Sequence, residues 1–187
     1  MHYRFYPLLF ILLLLCSSSL QEGDTRKLLI KALNELQHEN SLIKIIPILK
    51  KDTSLIENVP IGKPIKEEYF ISSPYGSRWH PIDKVQKFHS GIDLVSPYAS
   101  TIHATAAGVV LFAGIKGGYG KCVIIEHEYG FKTIYAHMTV YYTKRSKKIK
   151  KGDIIGFLGS TGKSTGNHLH YEIRKNERTI NPENWVN

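Results

Sequence analysis

The hydrophobic pattern of the first third of the chain combines one apolar run with one helical period. Residues 8–15 (LLFILLLL) follow Arg4 and are typical of an export signal. They are far fewer than the roughly 20 residues that a membrane-spanning helix needs. From Asp24 to Asn40, apolar residues recur at i, i+3, i+4 and i+7, which predicts an amphipathic helix. Residues 41–49 are apolar but contain Pro47, so we expect no regular helix there.

Beyond a linker marked by Pro60, Gly62 and Pro64, the pattern changes to short strands. Runs rich in branched and aromatic residues occupy positions 67–71, 101–104, 108–113, 121–126, 132–137, 153–158 and 169–174. Glycine-rich turns at 117–120 and 129–130 separate neighbouring runs at hairpin spacing. The pattern therefore predicts a mostly β fold, an antiparallel β-sandwich or barrel-like domain, preceded by a signal segment and a short helical linker region.

The junction after the apolar leader leaves three outcomes open. Cys16 is followed by three serines, an order that resembles the lipidation site of bacterial lipoproteins, although Leu15 stands where that motif has a small residue. The alternatives are plain secretion and a retained anchor, and lipidation or retention would attach the N-terminus to a membrane. Under lipidation, secretion or retention alike, we expect an exported protein of the cell envelope. The predicted limits are 1–20 for the signal or anchor, 21–63 for a helical spacer and 64–187 for the β-rich domain.

Charge narrows the class of partner. The 187 residues contain 25 Lys and Arg against 16 Asp and Glu, a net charge of +9, which favours an anionic partner. The run 144–151 (KRSKKIKK) carries much of this charge. We interpret it as a solvated hairpin loop, with attraction to an anionic wall polymer or lipid headgroups as the functional alternative. An exported protein seldom meets nucleic acid, so no nucleic-acid partner is expected. Cys122 lies in a strand-like run and is interpreted as a small buried apolar residue.

A nucleotide-binding loop is excluded by spacing. Residues 159–164 (GSTGKS) end in the Gly-Lys-Ser of a phosphate-binding loop, but that motif needs four residues between its glycines. Phe157 stands where the first glycine would have to be, and the segment that follows is β-like rather than helical.

Histidines and one aspartate suggest a metal site. His168 and His170 are two apart in a strand-like run, so their side chains point to one face. Together with His89 and Asp93, one member of this pair would supply two nitrogens and one carboxylate. Catalytic zinc sites use three such protein ligands and keep a fourth position open. Gly91 lets the intervening loop turn so that His89 and Asp93 converge.

Five separated motifs occur in a familiar order. They are residues 89–93 (HSGID), 118–120 (GYG), 135–137 (YAH), 159–162 (GSTG) and 164–172 (STGNHLHYE). Over about 74–182, the chain resembles the M23 family of zinc metallopeptidases, the lysostaphin/LytM-type endopeptidases that cut peptide bonds in peptidoglycan. The resemblance implies one Zn²⁺ ion held by His89, Asp93 and His170, in a groove with β-strands on its floor.

The same resemblance implies that His137 and His168 are the catalytic histidines. Because the HExxH glutamate base is absent, histidine has to move the protons. We assign His168 as general base on the attacking water and His137 to the tetrahedral intermediate or the leaving amine, with the two roles exchangeable. His80 is interpreted as loop structure or substrate contact, and His127 as a surface or supporting residue. Asn167 replaces the proline that usually precedes the HLH run.

The expected function is zinc-dependent hydrolysis of peptide cross-links or bridges in bacterial peptidoglycan. The alternative is a catalytically silent M23-like module that binds and activates another cell-wall hydrolase. Silent members lack one or more metal residues, whereas all five positions are filled here, and zinc content would separate the two. Peptidoglycan peptides are the expected partner. The sequence leaves open the bond that is cut, the type of envelope, the role of residues 24–63 and the oligomeric state.

Overall fold

The structure is a computed structural model that describes residues 22–79 and 82–186. The predicted leader with Cys16, and also His80, lie outside the described residues. The described residues divide into two compact units, with the boundary between Leu55 and Ile56. The predicted limit at 63/64 thus lies inside the second unit, and the predicted leader limit at 20/21 stays a prediction.

The first unit is helical. Its elements are α1 (Glu22–Glu35) and α2 (Glu39–Leu49), and a short helix α3 (Thr53–Ile56) lies at the boundary. The predicted apolar stripe is buried: Leu29, Ala32 and Leu33 lie in α1, and Leu36 directly follows it. The helix itself ends at Glu35 rather than at Asn40, and a second helix begins at Glu39. No described helix is long and apolar enough to cross a membrane.

The prediction that residues 41–49 form no regular helix is wrong. Pro47 lies inside the last turn of α2, where the helix loses one N–H donor. The helix buries one face, made of Leu42, Ile45, Ile46 and Leu49. Each fully buried aliphatic side chain contributes about 1.5–3 kcal/mol, and a proline inside a helix costs about 3 kcal/mol. Burial of the apolar face therefore outweighs the proline.

The described residues of the second unit form thirteen strands, with bounds as follows. They are β1 (Phe70–Ser73), β2 (Gly76–Trp79), β3 (Gln86–His89), β4 (Ile92–Val95), β5 (Thr101–His103), β6 (Gly108–Ile115), β7 (Lys121–Glu126), β8 (Phe131–Ala136), β9 (Val140–Tyr141), β10 (Lys148–Ile149), β11 (Ile154–Phe157), β12 (Leu169–Lys175) and β13 (Arg178–Ile180). Three short 3-10 turns occupy Gly117–Tyr119, Glu128–Gly130 and Pro182–Asn184.

The strands form antiparallel sheets, which confirms the predicted mostly β, antiparallel fold. An eight-stranded sheet has the order β1-β4-β12-β8-β7-β6-β10, with β13 added to β12. A three-stranded sheet has the order β5-β11-β9, and β2 with β3 forms a separate hairpin. The β6–β7 and β7–β8 connections are the hairpins that the glycine-rich turns predicted.

Residues 57–65 belong to the second unit through backbone hydrogen bonds. Ala107 N–H donates to Glu57 O at 2.7 Å, and Gly62 N–H donates to Trp185 O at 2.7 Å. Ile65 forms an antiparallel bridge with Ile102 in β5. The stretch interpreted as linker is therefore tied to the β-rich unit.

Strand β12 is central because both of its faces are covered. Leu169, Tyr171 and Ile173 alternate on one face, and all three are fully buried in the core. His170 and Glu172 alternate on the other face and are also buried. The strand therefore separates the core from a polar floor.

Candidate active site

Three predicted metal ligands converge on one point. His170 Nδ1 lies 2.9 Å from Asp93 Oδ1, and His89 Nε2 lies 3.1 Å from the same oxygen. The two histidine nitrogens are 3.0 Å apart. All three residues are buried and form a group that could hold a metal ion.

Strand register explains the convergence. His170 in β12 lies directly opposite Asp93 in β4, and residues directly opposite in an antiparallel pair point to the same face. His89 ends β3 and reaches the same point through a turn at Gly91. A Cβ at Gly91 would lie 2.3 Å from the carbonyl oxygen of Tyr171. The glycine is therefore required by the close approach of two backbones.

The outer hydrogen bonds of both histidines assign their tautomers. His89 Nδ1 lies 2.8 Å from the carbonyl oxygen of Pro74 and donates to it, which leaves Nε2 as a lone pair. His170 Nε2 lies 3.0 Å from Glu172 Oε1 and donates to it, which leaves Nδ1 as a lone pair. Two nitrogen lone pairs and one carboxylate oxygen thus face one another, an arrangement that a cation stabilises.

Electrostatics favour positive charge at this point. Burial raises the pKa of Asp93, but His170 and His89 outweigh it when the nitrogens that face this carboxylate carry a proton, and they hold the pKa well below its usual range. Burial lowers the pKa of His170, but Asp93 and Glu172 outweigh it and raise the pKa above its usual value. The donor set fits zinc, which takes histidine nitrogen and carboxylate oxygen at about 2.0–2.2 Å.

A buried carboxylate supports His170, and the sequence did not reveal its role. Glu172 is fully buried and accepts hydrogen bonds at Oε1 from Ser90 Oγ at 2.5 Å and from Tyr119 OH at 2.6 Å. At Oε2 it accepts two hydrogen bonds from Arg174, at 3.0 and 2.7 Å. Although burial raises the pKa of Glu172, these contacts and His170 lower it to about 2. Glu172 is therefore an anion held in place by four side chains.

The two predicted catalytic histidines lie together beside the donors. Their ring centroids are 4.7 Å apart, and His168 Nε2 is 3.7 Å from Asp93 Oδ1. His137 Nδ1 donates to Thr161 O at 2.7 Å, and His168 Nδ1 donates to Gly166 O at 2.9 Å. Each ring therefore keeps Nε2 as a proton acceptor. Burial, the main cause, lowers the pKa of His137 to about 4, so this ring is neutral at neutral pH.

The backbone of His137 is strained. Its φ is +61°, in the left-handed region that residues other than glycine rarely adopt. The residue directly follows β8, and its N–H donates to Tyr119 O at 2.9 Å. The reversal at the end of the strand directs the ring toward His168.

A cleft of about 280 Å³ opens above the donors, and all five predicted residues line it. Arg78 also lines it and contacts Asp93 Oδ2 through Nη2 at 3.3 Å. No motif found in the sequence gave Arg78 a role. The cleft thus brings a candidate metal site, two proton acceptors and a guanidinium into one space.

Two other sequence signals lie outside this cleft. His127 is buried and bonds to Ala107 O at 2.8 Å and Thr133 Oγ1 at 2.7 Å, so it supports the core rather than lying at the surface. The loop 159–162 packs against the turn before β7: a Cβ at Gly162 would lie 2.3 Å from Gly120 N. Its glycines serve close backbone packing.

The sequence profile of peptidase family M23 matches residues 87–182, about half of the chain. The matched range contains all five sequence motifs and all five residues of the site. The chain belongs to peptidase family M23.

Known relatives agree with this assignment. The chain is 47% identical over 112 residues to the DD-carboxypeptidase/endopeptidase Mpg of Neisseria meningitidis, covering 60% of this chain and 26% of that protein. It is 33% identical over 119 residues to the peptidoglycan DD-endopeptidase ShyA of Vibrio cholerae, covering 63% and 28%. A zinc containing peptidase from Vibrio cholerae matches its fold with a TM-score of 0.61 and 29% identity, covering 65% and 38%. The chain thus spans about a quarter of the length of these curated relatives.

Proposed function

We propose that the chain is a zinc-dependent endopeptidase that hydrolyses peptide cross-links of bacterial peptidoglycan. The observation that carries the proposal is the three-donor cluster of His89, Asp93 and His170 beside the paired imidazole rings of His137 and His168. A silent binding module needs neither feature. The names of the relatives, which include peptidoglycan endopeptidases and a zinc containing peptidase, support the same conclusion.

His89, Asp93 and His170 would hold the zinc ion. When bound, zinc lowers the pKa of water to about 7 and polarises the carbonyl of the scissile bond. The chain supplies the proton transfers. His168 takes the proton of the attacking water at Nε2. This proton then passes to His137 Nε2 in the neighbouring ring, and His137 donates it to the departing amine as the C–N bond breaks. Their Nδ1 hydrogen bonds to backbone carbonyls keep both rings oriented through these steps.

Replacing either acid–base histidine tests this division of roles. His137→Ala and His168→Ala should each retain one zinc ion per chain and lose at least about 100-fold in turnover, because neither side chain is a metal ligand in this assignment. Zinc content is measured by atomic emission, and turnover by mass spectrometry of muropeptides released from sacculi of different cross-link types. His170→Ala is the control that should lose both.

Two outcomes would count against the proposal. Full turnover in either alanine variant would remove that histidine from the mechanism. A wild-type protein that binds no zinc and releases no muropeptide from any sacculus would favour the silent module.

We also propose that the protein acts outside the cytoplasm, because peptidoglycan lies there. The apolar run at residues 8–15 and Cys16 support export, with lipidation as one form of attachment. Fractionation of cells that express the full chain, with Cys16→Ala as the comparison, tests export and lipidation separately.

A further inference from the structure

The cleft has a positively charged rim that the proposed chemistry does not use. Arg78, Lys87 and Lys163 line it, and Asp93 is the only carboxylate among the described lining residues. Arg78 contacts Asp93, so its charge is partly engaged. The two lysines remain as cations at the edge of a site that is expected to receive a peptide.

Both lysines contact a single carboxylate of the chain itself. Lys87 Nζ donates to Asp83 Oδ2, and Lys163 Nζ donates to Asp83 Oδ1. Lys87 lies in β3, in the hairpin that leads into β4. Lys163 follows β11, and its N–H donates to Gly118 O at 2.8 Å.

The two lysines therefore come from opposite sides of the site. β4 flanks β12 on one side, and the turn that Lys163 contacts precedes β7, which lies beyond β8 on the other side. The Asp83 carboxylate links these two sides of the cleft, because it contacts both Lys87 and Lys163. Its position marks a place where two ammonium groups can hold one carboxylate by charge-assisted hydrogen bonds.

This place is close to the metal ligands. Lys87 is two residues before His89 on β3, so their side chains leave the same face with Cα atoms about 7 Å apart. A substrate carboxylate held there would lie about one or two residues from the scissile bond.

We propose that Lys87 and Lys163 form a subsite for a carboxylate of the peptide substrate, and that Asp83 occupies this subsite in the free protein. This inference rests on the proposed function, since it names the class of peptide that the cleft takes. The side chains of Asp83, Lys87 and Lys163 are 22%, 49% and 42% exposed. Exposed ion pairs are weak, so an incoming carboxylate can replace Asp83.

The subsite is tested by binding, with turnover blocked. The probes are acetyl-D-alanyl-D-alanine and the same peptide as its C-terminal amide, titrated calorimetrically into the zinc-loaded full chain carrying His168→Ala. Lys87→Met and Lys163→Met should each weaken binding of the acid about two- to fivefold and leave the amide unchanged, as expected for one partly exposed ion pair. Asp83→Asn should strengthen binding of the acid by a similar factor, because it removes the internal competitor.

Matched variants control for net charge. Lys144→Met and Glu177→Gln make the same charge changes at exposed positions outside the cleft, and neither should alter the ratio of acid to amide affinity. Added salt should reduce the preference for the acid in the parent protein and have less effect in the double variant Lys87→Met/Lys163→Met.

The inference is overturned if the three cleft variants change acid and amide binding alike, leave both unchanged, or if neither peptide binds. The proposed function can fail independently. Selective acid binding without release of muropeptides from any sacculus would refute the hydrolase and retain the subsite. Muropeptide release without the variant-specific selectivity would refute the subsite alone.

Discussion

Each histidine of the site has one ring nitrogen held by a fixed acceptor. His89, His137 and His168 donate to backbone carbonyls, which are neutral. His170 alone donates to a carboxylate, that of Glu172. A charged acceptor makes the opposite nitrogen more electron-rich, so His170 is expected to be the stronger of the two nitrogen ligands.

Glu172→Gln should weaken zinc binding about 10- to 100-fold, because the neutral amide orients His170 less firmly and supplies no negative charge. Affinity is measured by competition with a chromophoric chelator, which does not depend on turnover. Glu126→Gln, an exposed change of the same kind on β7, is the control. Equal affinities in the two variants would contradict a supporting role for Glu172.

His127 should make the stability of the β-rich unit depend on pH. Burial, the main cause, lowers its pKa to about 4 from 6.5. The unfolded chain therefore binds a proton below pH 6.5 that the folded chain does not bind until about pH 4. The contribution of neutral His127 to the free energy of unfolding is therefore fully present above pH 6.5. It is lost as the pH falls toward 4, by about 3 kcal/mol in total.

The measurement is the free energy of unfolding in denaturant at several pH values. His127→Gln keeps a polar side chain without this titration, so its curve should be flatter between pH 4 and 6.5. Parallel curves for the two proteins would show that His127 does not cause the acid sensitivity.

The five site residues could be predicted because short motifs contain them, whereas their partners could not. Ser90 and Tyr119 reach Glu172 across 82 and 53 residues of sequence. Such contacts depend on strand register and on the path of loops, which residue spacing does not specify. The glutamate was visible in the HLHYE run, but its role as a shared acceptor was not.

At the scale of elements, the strands rich in branched and aromatic residues were predicted from the sequence. The short polar strands were not. β7, β8 and β12 are rich in branched residues and flanked by glycine turns. β2 and β3 are short and mostly polar or exposed, so the hairpin that carries His89 and Lys87 had no clear strand signal. α2 was missed because local reasoning weighs a proline more heavily than the burial of a whole face.

Gly91→Ala should disturb the metal site through the backbone. The added Cβ would lie 2.3 Å from Tyr171 O, so either the turn at Gly91 or β12 has to shift. We expect a loss of about 1–3 kcal/mol in unfolding free energy together with weaker zinc binding. Thermal unfolding and chelator competition measure the two effects.

Gly166→Ala is the matched control, because a Cβ there meets nothing within 4 Å. It should leave both quantities close to the wild-type values. A Gly91→Ala protein that is as stable and binds zinc as tightly as this control would show that the turn can relax around the methyl group.

At the scale of the whole β-rich unit, the candidate ligands join distant parts of the chain. His89 and His170 are 81 residues apart in sequence, and Asp93 lies on a third strand. A ligand that binds only the folded state stabilises it in proportion to the logarithm of its concentration. Zinc bound here therefore stabilises the packing of β3, β4 and β12 as one unit.

Removal of zinc by EDTA should lower the melting temperature by about 10 °C, for metal previously present at about 1,000 times its Kd. Calorimetry with and without chelator measures the shift. His170→Ala should melt at one temperature under both conditions. An unchanged melting temperature of the wild-type protein in EDTA would contradict a contribution of the metal to stability.

The left-handed backbone of His137 has a consequence for how this domain can change. A residue with a side chain at φ +61° costs about 1–3 kcal/mol relative to a relaxed backbone, and glycine would avoid most of that strain. Glycine would also remove the imidazole that faces His168. Selection for heat resistance and selection for proton transfer thus act in opposite directions at this one position. A search for thermally hardened variants of the chain should recover substitutions at residue 137 that have lost turnover.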